Sequence, residues 1–91
     1  MSARSYIITG RVQGVFYRAR TKQRADELGI VGWVRNGNDG VSVEVHAEGS
    51  DEQLAALEEW LRVGPPAADV QDVNVKNAKT EHCTTFEVRY F

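Results

Sequence analysis

The sequence predicts an α+β fold in which two helices pack on one face of a mostly antiparallel sheet of four or five strands. Two segments have apolar residues at helical spacing, and strand-like alternation occurs before, between and after them. The 91 residues are enough for one domain and no more, so we expect a single domain over residues 1–91. The predicted order is β-α-β-β-α-β.

The first strand is predicted over residues 6–12, where side chains alternate between the two faces and the chain then enters a glycine-containing loop. The first helix follows, from about Phe16 to Leu28. Its inner stripe comprises Tyr17, Thr21, Ala25 and Leu28. Gly29 is placed to end this helix in a left-handed conformation.

The second and third strands form a predicted hairpin. Residues 30–35 are typical of a strand, and residues 36–40 are dense in turn-forming residue types. Valine and alanine alternate with polar residues over 41–48, which predicts a strand with one buried and one solvated face. His46 falls on the predicted solvated face.

The second helix begins at a capping-box signature, Ser50 with Gln53 three residues later. Its core residues are Leu54, Leu57 and Leu61, and Gly64-Pro65-Pro66 stops it. Alternation over 70–75 and again over 86–91 predicts a last β region in one piece or two. This βαββαβ order is the ferredoxin-like sandwich, a fold that by itself specifies no chemistry.

Charge is distributed unevenly along the chain, although the formal net charge is only −2. The basic residues of one short early stretch are Arg11, Arg18, Arg20, Lys22 and Arg24, whereas residues 44–59 carry acids and no Lys or Arg. A net acidic chain with one local basic patch suits a small anionic ligand better than a nucleic acid.

Cys83 is the only cysteine, so an intramolecular disulfide is impossible and a reducing cytoplasm is the expected location. No apolar run approaches the roughly 20 residues of a membrane span, and the first residues do not resemble a signal peptide. We therefore expect no association with a membrane.

The loop after the first strand has the features of an anion-binding turn. Gly10 and Gly14 bracket a strand-to-helix connection, and glycine permits backbone angles that point successive N–H groups at one spot. The helix that follows adds unpaired N–H groups, and Arg18 can grip two oxygens with its planar fork. The spacing of the glycines fits neither a nucleotide P-loop nor a dinucleotide-binding fingerprint. On spacing alone, an ordinary strand-to-helix turn with a solvated arginine is as well supported as an anion-binding loop.

Two segments carry a resemblance to a known family. Gly10 to Arg18, with the sequence Gly-Arg-Val-Gln-Gly-Val-Phe-Tyr-Arg, resembles the first signature of the acylphosphatase family. Gly32 to Asn36, followed by Gly40, resembles the second. The length and the order of elements also match, so the resemblance covers essentially the whole chain.

Two departures from the family pattern are visible. Tyr17 stands where the family usually has Phe or Met, and its hydroxyl needs a partner. The run from Val41 to Glu48 is one residue longer than the usual spacing, which predicts a longer hairpin or a bulge.

The resemblance implies hydrolysis of acyl phosphates to a carboxylate and inorganic phosphate, without a metal or other cofactor. Arg18 would bind the phosphate together with the backbone N–H groups of Gln13, Gly14, Val15, Phe16, Tyr17 and Arg18, and Asn36 would orient the attacking water. Phosphate and sulfate should compete with substrate. Arg11 and Arg35 lie beside the motifs, and the sequence leaves open whether they add positive potential or simply face solvent.

Other chemistries have weaker support in the sequence. His46 and His82 are expected to be surface residues without metal-binding neighbours, and adjacent His82 and Cys83 should point to opposite sides of an extended chain. A non-catalytic anion-binding module of the same fold is the alternative function. A ferredoxin-like nucleic-acid binder is less favoured, since net positive charge is absent. A monomer is expected for a domain this small.

Overall fold

The computed structural model describes residues 1–90, which form five strands and two helices. In chain order these are β1 (Ser2–Arg11), α1 (Tyr17–Leu28), β2 (Val31–Asn36), β3 (Val43–Gly49), α2 (Asp51–Leu61), β4 (Asp69–Asn77) and β5 (Phe86–Arg89). The last β region is therefore split in two.

The strands form one sheet in the order β4-β1-β3-β2-β5. All neighbouring pairs are antiparallel except β2 and β5, which run parallel. Both helices pack against the same face, which confirms the predicted α+β ferredoxin-like sandwich. β1 and β2 are both antiparallel to β3, and β5 is parallel to β2, so these three strands run in the same direction. Their C-terminal ends therefore lie at the same end of the sheet.

The core lies between the helices and the inward side chains of the sheet. Its helical contribution comes from the predicted stripes, with Tyr17, Thr21 and Ala25 of α1 and Leu54, Leu57 and Leu61 of α2 buried. Within residues 1–90, neither helix is long and apolar enough to cross a membrane.

The predicted helix ends are confirmed by their hydrogen bonds. The Ser50 hydroxyl accepts from the Gln53 amide and the Gln53 side chain accepts from the Ser50 amide, which completes the capping box. Gly29 ends α1 in the left-handed region with φ 75°. These local interactions satisfy helix-terminal groups that would otherwise lack partners.

The loop between β2 and β3 covers residues 37–42, and the strand register is continuous from Val31–Glu48 to Asn36–Val43. The β2–β3 pair therefore has no bulge. A register shift occurs instead between β1 and β4, at Thr9 and Gly10.

The prediction of a solvated face on β3 is wrong at its C-terminal half. His46 and Glu48 are only 3% and 1% exposed, although they point away from the helices. The segment of residues 78–85 crosses from β4 to β5 over this face, and its amides bond to Glu48. The alternation of side chains was predicted correctly, but a local pattern could not reveal this distant cover.

The final strand was predicted to extend through residue 91. The structure ends β5 at Arg89, and the part of this prediction that concerns Phe91 lies outside the described residues. Tyr90 is exposed at the end of this strand.

Candidate active site

The loop between β1 and α1 turns sharply by alternating backbone conformations. Gly14 and Phe16 both adopt left-handed angles, with φ 73° and 63°, on either side of Val15. Gly14 adopts this conformation freely, whereas Phe16 does so at a cost because it carries a Cβ. Left-handed residues in such a turn direct successive N–H groups to one side of the chain.

The amides of this loop are free to bind a ligand. Within residues 1–90, none of the N–H groups from Gln13 to Arg18 donates to another protein group, and the first helical bond is Arg20 N–H to the Phe16 carbonyl. The free amides of the first helical turn also carry the positive end of the α1 dipole. The loop therefore offers a concave, electropositive backbone surface suited to an oxyanion.

Arg18 lies beside this surface and is held by β5. Its Nη1 donates to the Arg89 carbonyl over 3.2 Å, and its Cζ lies 4.8 Å from the centre of the Tyr90 ring. These contacts occupy one nitrogen and one face of the guanidinium. The remaining donors of the planar fork stay available for a bidentate anion.

Asn36 is the last residue of β2, opposite Val43 of β3. Its side-chain amide makes no hydrogen bond to another residue in the described part of the chain, so its oxygen and nitrogen remain available to water or ligand. The hairpin loop that follows is tightly bonded, since Gly37 N–H donates to the Ser42 carbonyl over 2.8 Å.

Asp39 stabilises this hairpin loop from within. Its Oδ1 accepts from the Val41 and Ser42 amides, each over 2.9 Å, and from the Ser42 hydroxyl over 3.0 Å. These hydrogen bonds, led by that of the Ser42 amide, lower the pKa of Asp39 below its ordinary value. The loop is thus most tightly held when Asp39 is ionised.

One cavity of about 290 Å³ brings the two motifs together. It is lined by Gly14, Phe16, Tyr17 and Arg18 from the loop side and by Asn36 from β2. Of the other residues in the loop, Gln13 and Val15 do not line it, and Val15 is buried in the core. Arg18 and Asn36, which are far apart in sequence, therefore face the same space.

The family comparison bears directly on this cavity, because the matching family model covers both of its motifs. The model is Acylphosphatase, and it matches residues 4–88. The chain belongs to the acylphosphatase family. This confirms the resemblance seen in the two segments of sequence.

Similar proteins include acylphosphatases from several bacteria. The chain is 50% identical over 82 residues to an acylphosphatase of Synechococcus sp., with coverage of 90% of this chain and 69% of the relative. It is 56% identical over 73 residues to an acylphosphatase of Xanthomonas oryzae, covering 80% and 82% of the two chains. The crystal structure of acylphosphatase from Bacillus subtilis superposes with a TM-score of 0.94 at 35% identity, covering 99% of this chain and 100% of that one.

The Tyr17 hydroxyl, which departs from the acylphosphatase pattern, has a partner in the core. It donates to the Leu61 carbonyl at the end of α2 over 2.7 Å. Burial raises the pKa of Tyr17 above its ordinary value, so the group stays neutral and serves as a donor. The hydroxyl thus ties α1 to α2 beneath the cavity.

The two arginines left open by the sequence lie outside the acylphosphatase cavity. Arg35 forms an ion pair of 3.0 Å with Glu44, and its Cζ lies 4.8 Å from the centre of the Trp33 ring. Arg11 is exposed at the end of β1 and does not line the cavity. Both occupy positions typical of outward-facing strand residues.

Sequence reasoning missed the contribution of the last strand to the site. Val88 and Tyr90 line the cavity, and the Arg89 carbonyl accepts from Arg18. The register pairs Val34 with Val88 and Arg35 with Arg89, which brings the end of β5 beside Asn36. The alternation over 86–90 was the available signal, but the parallel pairing with β2 could not be deduced from it.

Proposed function

We propose that the chain hydrolyses acyl phosphates to a carboxylate and inorganic phosphate. The observation that carries this proposal is the cavity in which Arg18 and Asn36 face one space beside unpartnered loop amides. Membership of the acylphosphatase family gives the substrate class. The further roles below are part of the same proposal.

The phosphoryl group is bound by the loop amides from Gln13 to Arg18 and by the guanidinium of Arg18. Several N–H donors around one tetrahedral dianion distribute its charge, and the arginine adds a charge-assisted bidentate contact. Phosphoryl transfer depends mainly on such positioning and charge stabilisation. Because the amides are fixed by the fold before substrate arrives, they need little reorganisation as charge develops.

Asn36 orients the attacking water. Its amide oxygen accepts a hydrogen bond from the water and directs a lone pair toward phosphorus, which supplies orientation and not deprotonation. The leaving carboxylate is a weak base and departs without prior protonation. Water attacks phosphorus, the bond between phosphorus and the bridging oxygen breaks so that this oxygen leaves with the carboxylate, and a water proton passes to the phosphate product or to solvent.

The same proposal covers the wider properties of the protein. We expect residues 1–91 to act as one acylphosphatase domain, in the cytoplasm, as a monomer. Catalysis needs no metal or cofactor, and inorganic phosphate or sulfate competes with substrate for the loop amides and Arg18. We expect neither a nucleic-acid partner nor a membrane partner.

The test compares hydrolysis of acetyl phosphate and benzoyl phosphate in the presence of a metal chelator. Arg18→Ala should lose turnover and phosphate binding together, by about 100-fold or more in kcat/KM. Asn36→Ala should mainly lower kcat while inorganic phosphate still competes with unchanged affinity. Arg20→Ala, on the exposed side of α1, is the matched control and should retain activity.

Circular dichroism establishes that each variant is folded before its kinetics are interpreted. Phosphate binding without turnover in the unmodified chain would instead support the non-catalytic anion-binding module. An Asn36→Ala variant that raised only KM would contradict the water-orienting role.

A further inference from the structure

A second polar cluster lies on the face of the sheet opposite the helices. His46, Glu81 and Cys83 each offer one metal-binding atom, and these three atoms lie within 4.8 Å of one another. The cluster adjoins the beginning of β2, since Trp33 pairs with His46, whereas Asn36 ends that strand. It is therefore separate from the cavity that contains Arg18.

Within residues 1–90, one nitrogen of the buried His46 ring has no hydrogen-bond partner. Its Nε2 lies 2.6 Å from Glu48 Oε2, and a carboxylate can only accept, so Nε2 carries the proton. Nδ1 is 3.7 Å from Glu81 Oε2 and makes no hydrogen bond to any residue in 1–90. In the neutral ring, the Nδ1 lone pair thus faces a carboxylate oxygen, an arrangement that a cation between them would stabilise.

The Glu48 carboxylate contacts all three residues that carry the candidate ligand atoms. Besides contacting His46, its carboxylate accepts from the Glu81 amide over 2.6 Å and from the Cys83 amide over 3.3 Å. His82, between those two residues, adopts a left-handed φ of 55°, which turns the flanking amides toward one carboxylate. A carboxylate that holds the second nitrogen of a histidine is the usual support of a metal-ligating imidazole.

The cluster is open to solvent on one side. The Glu81 side chain is 48% exposed, and a groove of about 210 Å³ is lined by Glu81 and Cys83. Within the described residues, neither Glu48 nor Glu81 forms an ion pair with a lysine or arginine. A cation can therefore reach the cluster through this groove, whose lining also includes Arg89, itself paired with Glu87 over 3.4 Å.

We propose that His46 Nδ1, Cys83 Sγ and the Glu81 carboxylate bind a thiophilic divalent cation of the Zn²⁺ class, with water as the fourth ligand. Nitrogen, thiolate and carboxylate donors match the ligand preference of Zn²⁺. Tetrahedral Zn²⁺ places its ligand atoms about 3.5 Å apart, so the cluster must contract by roughly 1 Å. Glu81 can make this movement, because Trp33 Nε1, at 3.0 Å, is the one hydrogen-bond partner of its side chain in the part of the chain that the structure describes.

Binding the cation replaces the Cys83 thiol proton, which is released to solvent, so affinity rises with pH. The bound ion joins β3 to the segment of residues 78–85 that covers it. Because the unfolded chain lacks this arrangement of ligands, binding raises the midpoint of thermal unfolding.

The experiment titrates the chelator-treated full chain with Zn²⁺ and, in parallel, with Co²⁺. We expect one ion per chain, a higher unfolding temperature and a sulfur-to-cobalt charge-transfer band. Trp33 fluorescence should change, because its ring stacks on His46 with centroids 5.8 Å apart. These measurements do not use hydrolytic activity, so they stand apart from the proposed function.

Variants separate this site from adventitious binding. Cys83→Ser and His46→Gln should each weaken Zn²⁺ binding by about tenfold or more, and Cys83→Ser should abolish the charge-transfer band. His82→Ala, the matched control at the exposed neighbouring histidine, should bind Zn²⁺ as the unmodified chain does. If His46→Gln does not fold, Cys83→Ser decides the question.

Three outcomes would overturn the proposal. The first is that the unmodified chain binds no ion at millimolar Zn²⁺. The second is that Cys83→Ser binds Zn²⁺ as tightly as the unmodified chain, and the third is that His82→Ala no longer binds it.

Discussion

The side-chain amide of Gln13 donates a hydrogen bond to the backbone carbonyl of Ser42 over 2.8 Å. The same carbonyl accepts from Gly37 N–H, the residue directly after Asn36. Gln13 therefore links the loop of free amides to the hairpin that positions Asn36. Its side chain supports the site through this bond, while its backbone N–H remains available to a ligand.

Gln13→Ala should disturb the relative placement of the two motifs more than it disturbs the fold. We expect kcat/KM for acetyl phosphate to fall about tenfold, because small displacements of positioned groups are costly in catalysis. The free energy of unfolding should fall by only about 1 kcal/mol, the typical net value of one hydrogen bond. Steady-state kinetics measure the first effect and urea denaturation the second. Gln71→Ala, at an exposed glutamine on β4, is the control. Unchanged kinetics would show that this link is dispensable.

Phe16→Gly should separate backbone strain from substrate contact. Phe16 is 78% exposed and left-handed, so glycine relieves strain and loses little burial, and stability should not fall. The lost ring should raise KM for benzoyl phosphate several-fold more than KM for acetyl phosphate, since Phe16 lines the cavity. Thermal unfolding and paired kinetics test both parts. An equal rise in the two KM values would argue against contact with the acyl group.

Tyr17→Phe removes the hydroxyl that donates to the Leu61 carbonyl while keeping the ring. The carbonyl is left without that donor, so we expect a loss of about 1–2 kcal/mol in the free energy of unfolding. Turnover should change little, because the hydroxyl points into the core. Tyr90→Phe, at an exposed tyrosine, is the matched control in urea denaturation. Equal stability of the two variants would contradict the assigned role.

Gly32→Ala and Gly40→Ala compare two glycines with positive φ. A Cβ on Gly32 would meet the His46 carbonyl oxygen at 1.9 Å, whereas a Cβ on Gly40 would meet nothing within 4 Å. Gly40→Ala should therefore cost about 1–2 kcal/mol of backbone strain. Gly32→Ala should cost more than about 3 kcal/mol or prevent folding, because β2 and β3 must separate. Denaturant unfolding of both variants measures the difference, and similar losses would refute this close approach.

Asp39→Asn should make stability less dependent on acid pH. The folded-state pKa of Asp39 is lowered, so its carboxylate contributes stability above its ordinary pKa of 3.8, and this is lost as pH falls through the folded-state value. The unmodified chain should have the higher unfolding temperature at pH 7, and the difference should shrink near pH 3. Asp72→Asn, at an exposed carboxylate on β4, serves as the control. A constant difference across this range would exclude the titration of Asp39 as the cause.

The elements were predictable where their signals are local. The capping box at Ser50, the left-handed end of α1 at Gly29 and the inner stripe of α1 each depend on neighbouring residues, and the structure confirms them. The two motifs containing Arg18 and Asn36 were also visible in sequence, and the βαββαβ order indicated that they could meet.

The contributions that escaped prediction are long-range. Tyr90 reaches the cavity only because β5 lies parallel beside β2, and Glu48 is buried only because residues 78–85 cross the sheet above it. Neither relationship leaves a periodic pattern near the residue concerned. His46 illustrates the limit: its place on β3 was predicted correctly, whereas its burial depends on a segment more than 30 residues later.

The interior position of β1, between β4 and β3, has a consequence for how the chain folds. This first strand pairs with β4 through contacts such as Arg4 with Asn77, which close a loop of roughly 70 residues at an entropic cost on the order of 4 kcal/mol. The chain loses this conformational entropy before the contacts between β1 and β4 form and stabilise the fold. Such non-local pairing slows folding. During synthesis β1 leaves the ribosome before β3 and β4, so it has both of its neighbours only once β4 has been made.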